Sequence, residues 1–485
     1  DEIRNSVTQQ QMFIKSKVYY EENKKFINNL DKIKIKSSYK DNYLIIKSFV
    51  PNVEERPPVD IVLCLDTSGS MGADAPIKGN DGSSTSYGIS VLSLTISAAK
   101  TILKTLNSKD NISIVTYSCN AKILFTDIAC TDQNKNTIES ELDNLKPSGM
   151  TNMWDGIKKS LDILKNNSPK DKLKVIKLFT DGLPSSEPNR GYGSEIERYF
   201  KTNDFKCMIN CYGFGYSLKS DILNDISNVS GGDGFSYIPD SSLLGNMFIH
   251  GITNFFTTSI TYIQCKIIYI DGTHDIFEIN SLKFGQTKHN IFESVKNISH
   301  IEMNINNNNI RIELSDISDD EFNEQIYRYK AFNCIENCIK FKKYNDERFK
   351  TEIDNLILDI SFNKEIKDNE YIQNILFDLE GQVKEALNMT SQGEKEDWFT
   401  KWGIHYLRSL KKAYENEICN NFKDKGVSNF TGELFEKIRD EVSDIFDNMP
   451  PPKREINSGM HGGFQSSGAT FSSLPTMASY NVPSG

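Results

Sequence analysis

Between residues 58 and 258, short apolar runs alternate with longer stretches whose apolar residues recur every three or four positions. The runs Val59 to Leu65, Ile112 to Tyr117, Ala121 to Phe125, Lys174 to Phe179, Cys207 to Phe214 and Phe235 to Ile238 predict six strands. Several are apolar without alternation, the pattern of a parallel strand buried on both faces. Helical spacing fills the gaps, over Gly88 to Leu106, Lys135 to Leu145, Trp154 to Leu164, Glu195 to Lys201 and Ser242 to Phe256. Strand and helix in alternation predict a doubly wound α/β (Rossmann-like) domain. Ile112 to Tyr117 and Ala121 to Phe125 lie too close for a crossover, so the second of them is expected to run backwards as a hairpin.

The flanks read differently. Upstream, Lys32 to Lys36 and Asn42 to Val50 are β-like runs. Downstream, Thr261 to Ile270 passes through Asp271-Gly272, a hairpin signal, into Thr273 to Ile279, followed by Ile298 to Ile305 and Ile310 to Leu314. One β-sandwich assembled from residues 1–57 and 259–318 accounts for both flanks, with the α/β domain inserted between them. Two chain crossings make that join stiffer than one linker, and Pro57 and Pro58 stiffen the entry. From Asp319 the spacing becomes helical, as in Ile353, Leu356, Ile357 and Ile360, and predicts an α-helical C-terminal domain over 319–449. Residues 450–485 are rich in Pro, Gly and Ser and are expected to be a disordered tail, with Phe464, Phe471 and Tyr480 as its aromatic positions.

Candidate chemistry lies where the predicted strands end. Asp66, Ser68 and Ser70 fall on one turn after the first strand, Thr151 precedes a helix in SGMTNMWDG, and Asp181 closes a strand in KVIKLFTDG. In open α/β sheets, ligand sites form outside the carboxyl ends of the strands, near the switch in strand order. Three hydroxyls and two carboxylates are hard oxygen donors that suit Mg2+, with Mn2+ or Ca2+ as alternatives. Two negative charges neutralise the ion, and if they act through water a coordination position stays open for an external carboxylate. The bland alternative is a strand end and two helix caps with no metal, since Ser and Asp crowd ordinary turns.

Here the chain resembles the von Willebrand factor A (VWA) family, whose metal-ion-dependent adhesion site (MIDAS) is a DxSxS loop, a later Thr and a later Asp. The resemblance implies metal ligation by Asp66, Ser68, Ser70, Thr151 and Asp181, and binding of a protein partner through an Asp or Glu that it presents. It also implies that movement of the closing helix, Ser242 to Phe256, can couple to the metal loops. Tethering of that helix to the sandwich predicts a domain held mostly in one affinity state. The Gly, Ser and Asp-rich insertion between Met71 and Tyr87, with Asp74 in it, reads as a mobile solvated loop beside the metal. Trp398 to Lys453 resembles the closing region of VWA proteins associated with Hedgehog-type intein-like modules, although no such module, U-box or RING is recognised in the chain.

Composition narrows the function classes. A length of 485 residues predicts two or three domains, and 25% charged with 38% hydrophobic residues describes a soluble globular protein. A net charge of -10 argues against general nucleic-acid binding. No run reaches the roughly 18 apolar residues of a membrane span. Nine cysteines without regular spacing read as reduced thiols of a cytoplasmic protein, with a secreted or surface location as the alternative. The pairs Cys207/Cys211 and Cys334/Cys338 each share a face and read as packing thiols, because no spaced His pair lies nearby. His250 and His405 read as partly buried. No HExxH, GxSxG or P-loop is present, so no enzyme is expected. The expected function is a divalent-metal-dependent interaction or adhesion scaffold. Two alternatives are a substrate-recognition subunit of a ubiquitin-ligase-type assembly and a self-associating structural protein that uses the ion only for stability.

Overall fold

A computed structural model describes residues 33–453 apart from 76, 79–83, 86–87, 168–171, 240–243, 262, 295, 306–307 and 388–398. The chain enters through a tight hairpin of β1 (Lys34–Lys40) and β2 (Tyr43–Phe49). Its two turn residues, Asp41 and Asn42, both have positive φ (51° and 66°), the geometry that follows the natural twist of paired strands. β2 is apolar at successive positions because both faces are covered. Leu44 and Ile46 join the main core, whereas Ile45 points the other way onto Phe322 and Ile326.

The α/β domain begins with β3 (Val59–Asp66) and continues through α1 (Val91–Thr105), β4 (Asn111–Tyr117), β5 (Ala121–Ala129), α2 (Asp132–Leu142), α3 (Met153–Asn167), β6 (Leu173–Thr180), α4 (Tyr192–Asn203), β7 (Met208–Phe214), α5 (Ser220–Val229), β8 (Phe235–Ile238) and α6 (Leu244–Phe256). Its sheet has the order β8-β7-β6-β3-β4-β5. All neighbours are parallel except β4 and β5, the expected reversed hairpin. Alternate residues of one strand feed two cores. Ile61, Leu63 and Leu65 face α1 and α6, while Val62 and Cys64 face α3, where Ile157 and Leu161 lie. Because both sides are buried, the strand needs no polar alternation. The sequence reading did not include α5, a short helix rich in Ser, Asp and Asn; burial of Leu223 and Ile226 against the sheet holds it.

Past α6 come β9 (Thr258–Ile260), β10 (Ile263–Tyr269), β11 (His274–Ile279), β12 (Leu282–Lys283), β13 (Thr287–Glu293), β14 (Ile298–Ile305) and β15 (Asn308–Glu313). β13 pairs with β2, so the three-stranded sheet β1-β2-β13 draws on both flanks, while β11-β10-β14-β15 is wholly downstream. The two sheets meet where Ser315 N donates to Ser37 O (2.6 Å) and where the rings of Phe277 and Phe292 lie 3.9 Å apart. The sequence reading lacked β9, β12 and β13. β13 carries Lys288 and His289, both buried, and such residues look like loop until their partners are known.

The remainder is helical: α7 (Asp319–Lys343), α8 (Arg348–Phe362), α9 (Glu370–Asp378), α10 (Ile404–Asn416), α11 (Lys425–Ser428) and α12 (Glu433–Asp447). These helices also grip the rest of the molecule. Arg328 of α7 donates to Tyr414 O (2.6 Å) and His289 O (2.8 Å), linking two helices to β13. His405 Nδ1 pairs with Ser220 Oγ at the start of α5 (2.7 Å), and Phe446 of α12 lies against Gly245 of α6. None of the nine cysteines forms a disulfide and only Cys119 is exposed; Cys207, Cys211, Cys334 and Cys338 are packing thiols.

The tail positions Phe464, Phe471 and Tyr480 lie outside the described residues, as do residues 1–32 and Ser242 of the expected closing helix. At its base the insertion after Met71 departs from the free loop expected. Asp74 forms a β-bridge with Ser90, and Ala75 N donates to Ile89 O (2.8 Å), which ties the loop to the start of α1.

Candidate metal-binding site

Strand order creates the site. The chain leaves β3 for β4 on one side and later returns to β6 on the other, so a crevice opens beyond the carboxyl end of β3. Asp66 is the last residue of β3, and its carboxylate is taken up locally. Oδ1 accepts from Ser68 N (2.8 Å) and Oδ2 from Thr180 Oγ1 (2.8 Å) at the end of β6. Ser68 Oγ lies 3.2 Å from Ser70 Oγ, and Ser70 Oγ donates to Asp181 Oδ1 (3.0 Å). Four of the five expected residues are thus joined by one chain of hydrogen bonds across two loops.

Thr151 arrives with a third loop. Gly69 N donates to Gly149 O (3.0 Å), Ser148 N to Thr67 O (2.8 Å), Asn152 N to Ser118 O (2.7 Å) and Ser185 N to Thr151 O (3.0 Å). These bonds seat Thr151 between the loops of Ser68 and Asp181. Gly149 has φ +78°, a conformation that costs other residues strain, and it lets the chain turn before α3. Gly156 then lets α3 lie directly on the sheet, since a Cβ there would stand 2.7 Å from the Tyr117 ring.

Depth differs across the site. Asp66 is wholly buried, Ser68 and Thr151 nearly so, Asp181 is partly covered and Ser70 is exposed. Burial, partly offset by the bonds from Ser68 and Thr180, pushes the Asp66 carboxyl up to about 6. Burial likewise raises Asp181, against the bond from Ser70. Neither carboxylate forms an ion pair with Lys or Arg among the described residues. Two desolvated carboxylates facing hydroxyls rather than an ammonium or guanidinium form an oxygen-only donor set with surplus negative charge, which fits a hard divalent cation. Among the described residues no three His, Cys, Asp or Glu side chains cluster as a metal site, so hydroxyls must supply the rest of any donor set here.

Sequence reasoning missed Thr180. Its hydroxyl orients Asp66 and accepts from Gly182 N (3.3 Å), and its only signal was its place beside Asp181 at a strand end. Ser185, whose Oγ accepts from Thr151 N (3.0 Å), gave no signal at all.

Comparison with known proteins bears on the domain that carries these loops. The family model of the von Willebrand factor type A domain matches residues 61–183, from β3 through the Asp181 loop. This is a VWA domain protein. The model described as VWA / Hh protein intein-like matches residues 369–444, beginning at α9 and so upstream of the Trp398 boundary read from sequence. Inter-alpha-trypsin inhibitor heavy chain H2 of Mesocricetus auratus is 25% identical over 198 residues, covering 39% of this chain and 19% of that protein. The uncharacterized protein YfbK of Escherichia coli K12 is 31% identical over 129 residues, covering 27% and 20%. This VWA protein thus aligns with about a fifth of the length of each. A solved von Willebrand factor type A structure from Catenulispora acidiphila superposes with a TM-score of 0.51 at 12% identity, covering 71% of this chain and 88% of that one. That is a likeness of fold, and it takes in more of the chain than the VWA domain alone.

Proposed function

We propose that this chain is a divalent-cation-dependent protein-interaction module whose VWA domain binds an acidic side chain of a partner protein. One observation carries the reading: two desolvated carboxylates, Asp66 and Asp181, held beside the hydroxyls of Ser68 and Ser70 at the open end of the sheet, with no cationic side chain to neutralise them among the described residues. Asp66, Ser68, Ser70, Thr151 and Asp181 would hold the ion, Mg2+ first, with Mn2+ or Ca2+ as substitutes. When bound, it supplies a position for a partner carboxylate. Thr180 keeps Asp66 aimed, and the stitched loops keep Thr151 in place. The sandwich and helices act as a frame that orients this face.

The proposed role is binding rather than catalysis. In this reading Asp66 and Asp181 both serve as ligands, and a carboxylate engaged in holding an ion is not free to act as a general base. Calorimetric titration of Mg2+ and Mn2+ into the whole chain tests the site, with Asp66→Asn as control. Saturable binding of one equivalent that is lost in the variant is expected. Equal heats from both proteins would overturn the reading.

A further inference from the structure

Two large apolar side chains stand exposed beside the site with no role in the fold. Met150 is 61% exposed and directly precedes Thr151; Leu183 is 53% exposed and follows Asp181 by two residues. A single exposed apolar residue is ordinary on a protein surface. Their placement is what sets these apart, because each adjoins a member of the donor set and their loops are bonded to each other. Thr151 N donates to Ser185 Oγ (3.0 Å) and Ser185 N to Thr151 O (3.0 Å), so the segments carrying Met150 and Leu183 run side by side.

The backbone beneath them is fixed. Met150 N donates to Cys119 Sγ (3.3 Å), the preceding Gly149 O accepts from Gly69 N (3.0 Å), and Leu183 stands between Gly182 and Pro184. With the backbone already held, covering these residues orders only their side chains and not the loops that carry them. The floor between the two residues is polar and anionic, so a partner must answer charge at the centre and apolar surface at the rim.

We infer that Met150 and Leu183 form an apolar rim that selects among acidic partners: the favoured ligand is an Asp or Glu flanked closely by large apolar side chains, on an exposed protein segment. The inference rests on the metal-dependent reading of the site. Coordination supplies most of the affinity and is blind to what flanks the acid, whereas the rim discriminates. Covering two half-exposed side chains is worth about a tenfold difference in affinity.

The test uses the whole chain and three short biotinylated peptides displayed on streptavidin: a central Asp between leucines, the same Asp between serines, and an Asn between leucines. Binding is measured in Mg2+ and in EDTA. The leucine-flanked Asp peptide is expected to bind about tenfold tighter than the serine-flanked one, and both to be lost in EDTA and with Asn. Met150→Ser and Leu183→Ser should each erode that preference while leaving the serine-flanked peptide unchanged, and Met150→Leu should keep it. EDTA-sensitive binding of equal strength with both flanks, or a preference untouched by the rim variants, overturns the rim and leaves the metal reading standing. Binding that ignores EDTA and the Asp-to-Asn change, or no Mg2+-dependent binding of any peptide, overturns both.

Discussion

At the scale of single residues, charge and packing can be separated at the site. Asp66→Asn keeps the shape of the side chain and an acceptor for Ser68 N but removes a carboxylate that is wholly buried. Affinity for Mg2+ should fall by two orders of magnitude or more, while denaturant unfolding of the metal-free chain stays within about 1 kcal/mol. Leu63→Ala, three residues back along the same strand, removes packing instead and should cost about 2–5 kcal/mol without altering the ligand set. Comparable unfolding of both variants would mean that the ligands are structural. A second residue prediction concerns Asp378, whose Oδ2 accepts from Tyr414 OH (2.7 Å) and Gly426 N (2.9 Å). Burial, and then the neighbouring Asp424, raise its carboxyl far above the ordinary range. The folded state therefore keeps a proton that the unfolded chain releases. The contribution of Asp378 to stability is full in acid and is lost as pH climbs from the ordinary carboxylate range through the raised folded value. Urea unfolding across that window should show this decline in the native chain and a flatter profile in Asp378→Asn; identical slopes would refute it.

At the scale of elements, α6 is held on both of its faces. Phe248 stacks towards Phe179 and Tyr212 on the sheet (5.7 and 5.2 Å), while Phe446 of α12 closes over Gly245. Asn254 Nδ2 donates to Cys419 O (2.7 Å), and the helix runs on into β9. Sliding it would break contacts on both faces at once, so a single affinity state is the expected behaviour. Hydrogen exchange with and without Mg2+ and peptide should change in the loops at 67–72, 148–152 and 181–185 and stay flat across Leu244–Phe256. Large changes along the helix would contradict the clamp. Periodicity made α6 legible in sequence, since apolar residues dominate it, but not the reason it is buried on nearly every side, polar Asn246, His250, Thr253 and Asn254 included. That reason is α12, about two hundred residues further along.

At the scale of the whole molecule, the seams between parts are buried and charged. Lys283 of β12 pairs with Asp233 beside β8 at 2.9 Å, with 4% and 10% of the side chains exposed, and its Nζ also donates to Asn254 O (2.7 Å). His289 of β13 lies between Glu417 and Glu321, each 2.9 Å away, beside Arg328. Separating sandwich from VWA domain or helices would strand these charges in a poor solvent, so the parts should unfold together despite the chain's length. Thermal unfolding followed by far-UV circular dichroism and by intrinsic fluorescence of the three tryptophans, Trp154, Trp398 and Trp402, should give coincident transitions. Two resolved steps would show that the seams are weaker than their geometry implies.

Apolar runs of strand length separated by helical spacing determined the α/β alternation by themselves, because burial on both sheet faces is written into consecutive residues. The five candidate positions meet for a related reason: each follows a strand or precedes a helix, and the order of elements alone sends those ends to one edge of the sheet. Only tertiary structure decided that β13 exists, since Lys288 and His289 can be buried only where Glu417, Glu321 and Ser281 O await them. Only tertiary structure revealed Thr180 as the group that aims Asp66, and bonded the loop of Met150 to the loop of Leu183 through Thr151 and Ser185. Hydrophobic periodicity is a local signal, whereas the partner of a buried charge, a hydroxyl or an exposed rim residue lies elsewhere in the chain and is fixed only when the loops meet.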